Sequence, residues 1–524
     1  MEVSRLSAWD VVCALSLAAL GGAMFKAWLS KGPFRGNPTN WPVLGMLPAL
    51  FLNLHDHAYD WGASILINNG GNFSFQGPWF SNMRYFFTAD PRNVEHALCT
   101  HFHNYPKGQD FSHIFHDLLG HGIFNADGEL WQMQRKITSL QVNSRACKQF
   151  SDSTVLEMVS NKLLPTMQHF CYRGLRFDLQ DILLRFTLDT ICLVSFGEDT
   201  GCLSPNLPVV PFSKALEDAL ECTMRRFFLP PRWWKVLKWL RIGREQSMPK
   251  AIKTVNEFCE KAIAARKERL QHEIKSPDKK LDLTSCLLSM GGDTATIDEK
   301  LLKDLALNFL LAGRDTSALA LCWFFWLLAN HPNVEEKVVA EVYRVIGSVK
   351  TEGKPLLTRT ELGQLHYLHA ALTESLRLYP SVPLDIKHIV KDDVLPDGTH
   401  VKKDDKLIYG IHAMGRMESI WGSDCFLFCP ERWLDPCNGK FTEAHMPPFH
   451  YLAFNAGPRT CIGKDLAYML MKTVASTLLL HFRVVPVPGH KIVPKLSITL
   501  YMKYGFPVIL EPRIRSAKES QVEV

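Results

Sequence analysis

The sequence predicts a mainly α-helical protein with small β-sheets, built as a single domain behind an N-terminal membrane anchor. Three observations predict it. Apolar residues recur at helical spacing through most of the chain. Short apolar runs punctuated by Gly and Pro, the pattern of strands and turns, concentrate in residues 382–410. Residues with chemical character are scattered from Trp131 to Gly463, so cutting the chain into independent domains would divide one site. The boundaries that follow are an anchor at 1–30, a proline-rich hinge at 31–45, the main domain at 46–515 and a tail at 516–524.

The anchor rests on an apolar run at 11–25, bordered by Trp9 and Trp28 and followed by Lys26, Lys31 and Arg35. The run is short for a span, and a cleaved signal peptide is the competing reading. No small-residue cleavage site follows, however. Instead comes KGPFRGNPTNWPVLG, whose prolines hold the chain extended. Positive charge after the run favours the cytosolic side. The expectation is a retained single-pass anchor with the main domain in the cytosol.

Composition excludes several classes. With 47% hydrophobic and 21% charged residues, the chain is neither a disordered tail nor a polytopic membrane protein. A net charge of +6 over 524 residues, without a long Lys/Arg block, indicates no nucleic-acid partner. The 14 cysteines are widely spaced, and Cys192, Cys259 and Cys322 sit in apolar stretches as small buried hydrophobes of a reducing compartment do. Cys425, Cys429 and Cys437 lie closer together but lack a CxxC pair or zinc-spaced histidines, and read as structural.

Taken in order, FSHIFHDLLGHGIFNADGELWQMQRK reads as a loop entering a helix that carries Trp131 and Arg135. FDLQDILLRFTLDTICLVSFG reads as a helix ending at Gly197. Residues 225–245 interleave cations with Phe and Trp; RNA stacking fits such a pattern, but a helix pair at a membrane interface suits the anchor better. The charged stretch 275–280 reads as an exposed connector. Residues 301–330 form a very apolar helix whose Lys303, Asp304, Arg314 and Asp315 argue for a buried core rather than a span. LTRTELGQLHYLHAALTESLRLYP begins with a capping box, Thr358 with Glu361, and stops before Pro380. Helix returns after Cys461.

Cys461 sits in FNAGPRTCIG, unlike any other cysteine in the chain. Gly457 can take backbone angles that let the chain curl around a sulfur. Arg459 offers a planar cation to a carboxylate. The helix that follows should favour a thiolate at Cys461, and Gly463 leaves room for a flat ring. This FxxGxRxCxG spacing resembles the haem-ligand loop of the cytochrome P450 family. The resemblance implies a single haem-enclosing domain of that fold, with Phe454, Gly457, Arg459, Cys461 and Gly463 around haem b and the Cys461 thiolate as axial iron ligand. In such enzymes the thiolate favours cleavage of the O–O bond.

Four further motifs follow the family's pattern. Glu374 and Arg377 form ExxR on one helix face, and PERW (residues 430–433) supplies Arg432 to a structural Glu–Arg–Arg network. AGRDTS matches the family's AGxDT. The resemblance places Ala312 and Gly313 at the haem and gives Asp315 and Thr316 to proton delivery. A mid-helix threonine can also turn its hydroxyl to the carbonyl a turn back and open a gap in the helix. Trp131 and Arg135 match the WxxxR pair that contacts a haem propionate; Arg459 serves the other side, and Lys387 falls where many relatives carry a propionate-binding base.

NYPKG, FHDLLGHGIFNADGELW, AGRDTSALALCWFFWLL, AMGRM and AFNAGPRTCIGKDLAYMLMKT resemble the land-plant fatty-acid omega-hydroxylases of cutin and suberin synthesis. That implies terminal hydroxylation of long-chain fatty acids with dioxygen and electrons from an NADPH-dependent reductase, at the endoplasmic reticulum membrane. Ala312 stands where many animal relatives carry an ester-forming glutamate, so haem is expected to be non-covalent. Phe111, Phe115, Leu118, Leu119, Phe124, Phe309 and residues 382–384 are expected to line a narrow channel. Oxygenation of alkanes, fatty alcohols or terpenoids is the rival reading. A reductase-independent isomerase is disfavoured by Thr316, and a non-catalytic haem sensor by Asp315, Thr316 and the full cysteine loop.

Overall fold

The computed structural model describes residues 37–53, 57–273, 282, 284–285, 298–348 and 356–513. The expected anchor, residues 31–36 of the hinge, the stretch 275–280 and the tail at 516–524 lie outside the described residues. Nine helices frame the site, with others between them: α1 (Gly108–Leu119), α2 (Gly128–Val142), α3 (Leu179–Phe196), α4 (Pro211–Phe227), α5 (Pro231–Leu240), α6 (Met248–Glu273), α7 (Glu299–Asn330), α8 (His366–Leu378) and α9 (Lys464–His481).

Helix α7 organises the molecule. Asp298 caps it by accepting from the Leu301 amide at 2.7 Å, and it ends at His331 ahead of Pro332. Its 32 residues span about 48 Å. Length and hydropathy would let it cross a membrane, yet 78% of its apolar window is buried in the protein. It is a core helix, as its charged residues predict. Its first half, Leu302 to Leu311, packs with Leu118 of α1, Leu188 of α3, Leu216 of α4 and Val255 of α6. The second half, Ala318 to Leu328, joins another core with Leu372 of α8 and Leu478 of α9.

Between those cores the burial pattern breaks. Phe309, Ala312, Gly313 and Thr316 stay partly accessible while Leu310, Leu311, Arg314, Asp315 and Ser317 are buried. The four open positions are spaced i, i+3, i+4, i+7, one stripe of a helix. A helix inside the protein that exposes a single short stripe borders an internal cleft.

Four strands form a sheet in the order β1-β2-β7-β4: β1 (Asn72–Gln76), β2 (Arg84–Thr88), β7 (Lys406–Tyr409) and β4 (Asp385–His388). Strands β2 and β7 run parallel, and the outer pairings are antiparallel. A second sheet orders β3 (Phe177–Asp178), β9 (Pro507–Pro512) and β8 (Phe482–Pro486), while β5 (Asp393–Val394) pairs with β6 (His400–Val401). Strands β4 to β7 thus fill the region predicted for them.

Two element boundaries differ from expectation. Residues 108–119, read as loop, are α1: Phe111, Ile114, Phe115, Leu118 and Leu119 recur at helical spacing and bury one face. The segment after Thr358 is two helices. The capping box opens a short helix, Arg359–Gly363, and Leu365 then leaves helical geometry. The Glu341 carboxylate restarts the chain as α8 by accepting from the Tyr367 and Leu368 amides at 2.8 and 2.9 Å. Gly197 ends α3 in the left-handed conformation, as predicted.

Candidate functional site

The cysteine loop closes on itself where the Cys461 amide donates to the Phe454 carbonyl at 2.8 Å. Asn455 and Gly457 take positive φ, 59° and 65°. At Gly457 a side chain is excluded twice, by that φ and because a Cβ would collide with the Leu98 carbonyl. At Gly463 a Cβ would meet nothing nearer than the Cys461 sulfur, 4.0 Å away. Cys461 itself keeps an accessible side chain although protein surrounds it closely enough to perturb its thiol. A sulfur at the floor of a cleft has both properties. Burial pushes its pKa up, and the Gly463 amide with the charges of Arg135 and Lys464 only partly offsets this. The expected pull toward thiolate at the start of the following helix is present in the Gly463 amide, and desolvation opposes it.

Ile462, next to Cys461, packs in one small cluster with Trp131, Leu305 and Phe309. That cluster brings the open stripe of α7, the α2 tryptophan and the cysteine loop together. Thr316 donates its hydroxyl to the Ala312 carbonyl at 2.5 Å, as predicted. Helix α7 nonetheless remains regular α-helix through residues 312–316, so the hydroxyl opens no gap. Asp315 turns away from Thr316 and is fully buried. It accepts from Arg314 at 2.9 Å and from Thr499 at 3.4 Å. Arg314 in turn reaches Glu217 and Ser213 of α4, both at 3.2 Å. Burial alone would lower the Arg314 pKa; Tyr501, Asp315 and Glu217 outweigh it and hold the guanidinium above its ordinary value. Gly313 has a packing reason of its own, since a Cβ there would strike Ile191 of α3.

Beside the cysteine loop lies a buried cluster with more cations than anions. Arg459 donates to Asp127 at 2.6 Å and to the Ala126 carbonyl at 2.9 Å, with its guanidinium 4.5 Å from the Trp131 ring centroid. Lys107 bonds Asp385, whose other oxygen accepts from Tyr409 at 2.6 Å. Lys387 sits 3.3 Å from Asp385 but its ammonium makes no hydrogen bond. Burial brings its pKa down to about 7; Asp385 opposes this, while Lys107 and Arg459 add to it. Burial also lowers Lys107, Arg459 and Arg135. The Asp385 carboxyl is held far below the ordinary range by Lys107 and Lys387, in spite of burial. Lys107, Lys387 and Arg459 surround Asp127 and Asp385, with Arg135 beside Arg459 and Cys461; counted fully charged, the four cations exceed the two carboxylates by two. A ligand with two carboxylates would neutralise that excess and give the Lys387 ammonium the hydrogen bond it lacks. Haem fits that demand through its two propionates. Sequence reasoning missed Lys107, Asp127 and Asp385, although the first two lie in the quoted NYPKG and FNADGELW strings.

Glu374, Arg377 and Arg432 meet in the protein interior. Arg377 grips Glu374 through two hydrogen bonds of 2.8 and 2.7 Å, and Arg432 adds one of 3.0 Å. The Trp433 indole and the Cys429 amide also donate to Glu374, at 2.8 and 3.1 Å. Arg377 donates further to the Gly415, Cys425 and Leu427 carbonyls, and Asp424 pairs with Arg432 at 2.9 Å.

Two expectations about the cleft's walls change. Phe115, Leu118 and Leu119 are buried core, whereas Phe111, Phe124, Phe309, Val382 and Leu384 keep accessible surface. In the segment 225–245, Arg226 is not a surface cation. It is buried and bonds Glu245 at 2.7 Å and Asp117 at 2.8 Å. Trp234 is also buried, 4.9 Å from that guanidinium. Trp233, Val236, Trp239, Leu240 and Ile242 are exposed, and Phe80 lies 6.2 Å from Trp233. Trp79 and Trp239 are the most open, at 77% and 80%.

Comparison with known proteins fits this geometry. A sequence model of the family described as Cytochrome P450 matches residues 38–504. Cytochrome P450 86B1 of Arabidopsis thaliana is 44% identical over 490 residues, covering 92% of this chain and 87% of that one. Cytochrome P450 94A2 of Vicia sativa is 40% identical, covering 91% of each. The alkane hydroxylase MAH1 of Arabidopsis thaliana is 38% identical, covering 93% of this chain and 96% of its own. With Ile462 of its cysteine loop and Phe309 of the α7 stripe packed around Trp131, and Arg459 over that ring, the chain belongs to the cytochrome P450 family of monooxygenases.

Proposed function

We propose that this enzyme hydroxylates long-chain fatty acids at the terminal carbon, supplying hydroxy acids of the kind used in cutin and suberin. The reaction consumes one dioxygen and one NADPH, whose two electrons arrive through a separate reductase, and yields the alcohol and water. The observation that carries the reading is the stripe Phe309, Ala312, Gly313 and Thr316 beside the Cys461 loop, apolar except for one hydroxyl. The similarity to cytochrome P450 86B1 supports it, and so does a relative named for alkanes, whose unactivated methyl end a fatty acid shares.

Haem would be held by the Cys461 sulfur and, at its propionates, by Arg135, Lys387, Arg459 and the Trp131 edge. When bound, it supplies dioxygen activation and insertion of one oxygen atom into a C–H bond. The chain's own part is orientation. Ala312 carries no carboxylate that could esterify the cofactor. Thr316 keeps a proton at Oγ1 aimed at the Ala312 carbonyl, from which it can turn into the cleft. Arg314 fixes Asp315 behind it and ties α7 to α4. Phe111, Phe309, Val382 and Leu384 offer apolar surface to an acyl chain. Alkane oxidation is the second reading, favoured by the length of the match to MAH1.

Purified enzyme with reductase and NADPH, given C12 to C24 acids and matching alkanes, should yield terminal hydroxy acids by mass spectrometry. Turnover of alkanes alone, or oxidation confined to internal carbons, would overturn the reading.

The same proposal places the protein on the endoplasmic reticulum membrane through residues 1–30, with Trp79, Phe80, Trp233 and Trp239 resting at the lipid interface. Anchor-deleted enzyme should bind phosphatidylcholine vesicles several-fold more weakly after Trp79→Ser and Trp239→Ser. Undiminished vesicle binding by that variant would remove the patch from the account.

A further inference from the structure

Residues His96–Thr100 form one π-helical turn, and the His101 amide donates to the His96 carbonyl at 2.8 Å. A π turn bonds residue i to i+5, so it brings the sixth side chain over the first. Here it lays the His101 ring on His96, centroids 4.0 Å apart and planes 31° from parallel. Strand β5 then presents Asp393, whose Oδ2 lies 2.9 Å from His96 Nε2. One donor atom from each of His96, His101 and Asp393 lies within 4.8 Å of the other two. The carboxylate is already oriented. Tyr105 and Asn104 donate to the same oxygen at 2.9 and 3.3 Å, and the Val394 amide donates to the other at 2.8 Å. Outer contacts of this kind hold the ligands of protein metal sites.

We propose that His96, His101 and Asp393 form a second metal site, for a divalent transition ion of the zinc class, separate from the haem cleft. Two imidazoles and a carboxylate suit zinc and leave a fourth position for water. The ion takes the place of the proton shared between His96 Nε2 and Asp393 Oδ2. His96 is buried and Asp393 partly so, while His101 is exposed and supplies the donor that solvent can reach. Small side-chain rotations bring all three to bonding distance. The same turn carries Leu98, whose carbonyl abuts Gly457, so an ion here braces the element against which the cysteine loop is folded.

The test uses haem-loaded, full-length protein dialysed against zinc chloride, with bound zinc counted and its ligands read by X-ray absorption at the zinc edge. Cys99 is exposed within the same turn, so Cys99→Ser serves as the control for thiol binding. Wild type and Cys99→Ser should each hold one zinc with a nitrogen and oxygen shell showing imidazole scattering. His101→Ala, or His101→Gln should the first fold poorly, should lose that zinc or bind it at least tenfold more weakly, with an unchanged carbon-monoxide spectrum at the haem. Equal zinc binding by wild type and the His101 variant, or sulfur in the zinc shell, would overturn the proposal.

Discussion

Two buried charge clusters flank the cleft, and they are built on opposite principles. Around Glu374, two arginines meet two carboxylates, and backbone carbonyls, an indole and an amide take up remaining hydrogen-bonding capacity. Around Asp385, three cations meet two carboxylates with Arg135 close behind Arg459, and the Lys387 ammonium has no hydrogen-bond partner. The first cluster is complete as protein and can only hold structure together. The second is incomplete as protein and has capacity for an anionic ligand. Saturation therefore separates a structural ion network from a binding one, even where both are buried and both contain arginine.

The sharpest way to break the comparison is Arg377→Ala. It would leave Glu374 buried opposite a cavity and strip donors from three carbonyls, a loss of about 3–5 kcal/mol. Haem-containing protein should fail to accumulate, as measured by the yield of reduced carbon-monoxide complex; normal yield would show that the network is dispensable. Lys387→Met should act in the other direction on the empty fold and more mildly. Haem-depleted protein should be no less stable in urea, while haem loss to a scavenger should quicken by about tenfold, the loss of one charge-assisted contact. A further effect is in pH. The folded Lys387 value of about 7 lies below its ordinary 10.5. Between those values the unfolded chain binds a proton that the folded one does not. Stability of haem-depleted wild type should thus rise with pH across that window, and Lys387→Met should lose that slope.

How much was legible in the sequence follows from how local each feature is. The cysteine loop, ExxR and AGRDTS are short strings whose own members lie within a few residues of one another, so their positions could be read directly. The cationic cradle could not. Lys107 and Asp385 are 278 residues apart, and neither has a local pattern that predicts the other. The burial of Arg226 within the interfacial segment 225–245 was equally unreadable, since its partner Asp117 is 109 residues away. Helix α1 was misread although its apolar spacing was present. The break ahead of α8 was invisible because the carboxylate that makes it, Glu341, comes from the helix Pro332–Ser348, 26 residues away.

The contact between Arg459 and Asp127 joins positions 332 residues apart. A ribosome must have released nearly the whole polypeptide before that grip can form. Cofactor capture is therefore a late event in the enzyme's biogenesis, and a transcript shortened upstream of the cysteine loop would yield helices with no pigment to enclose.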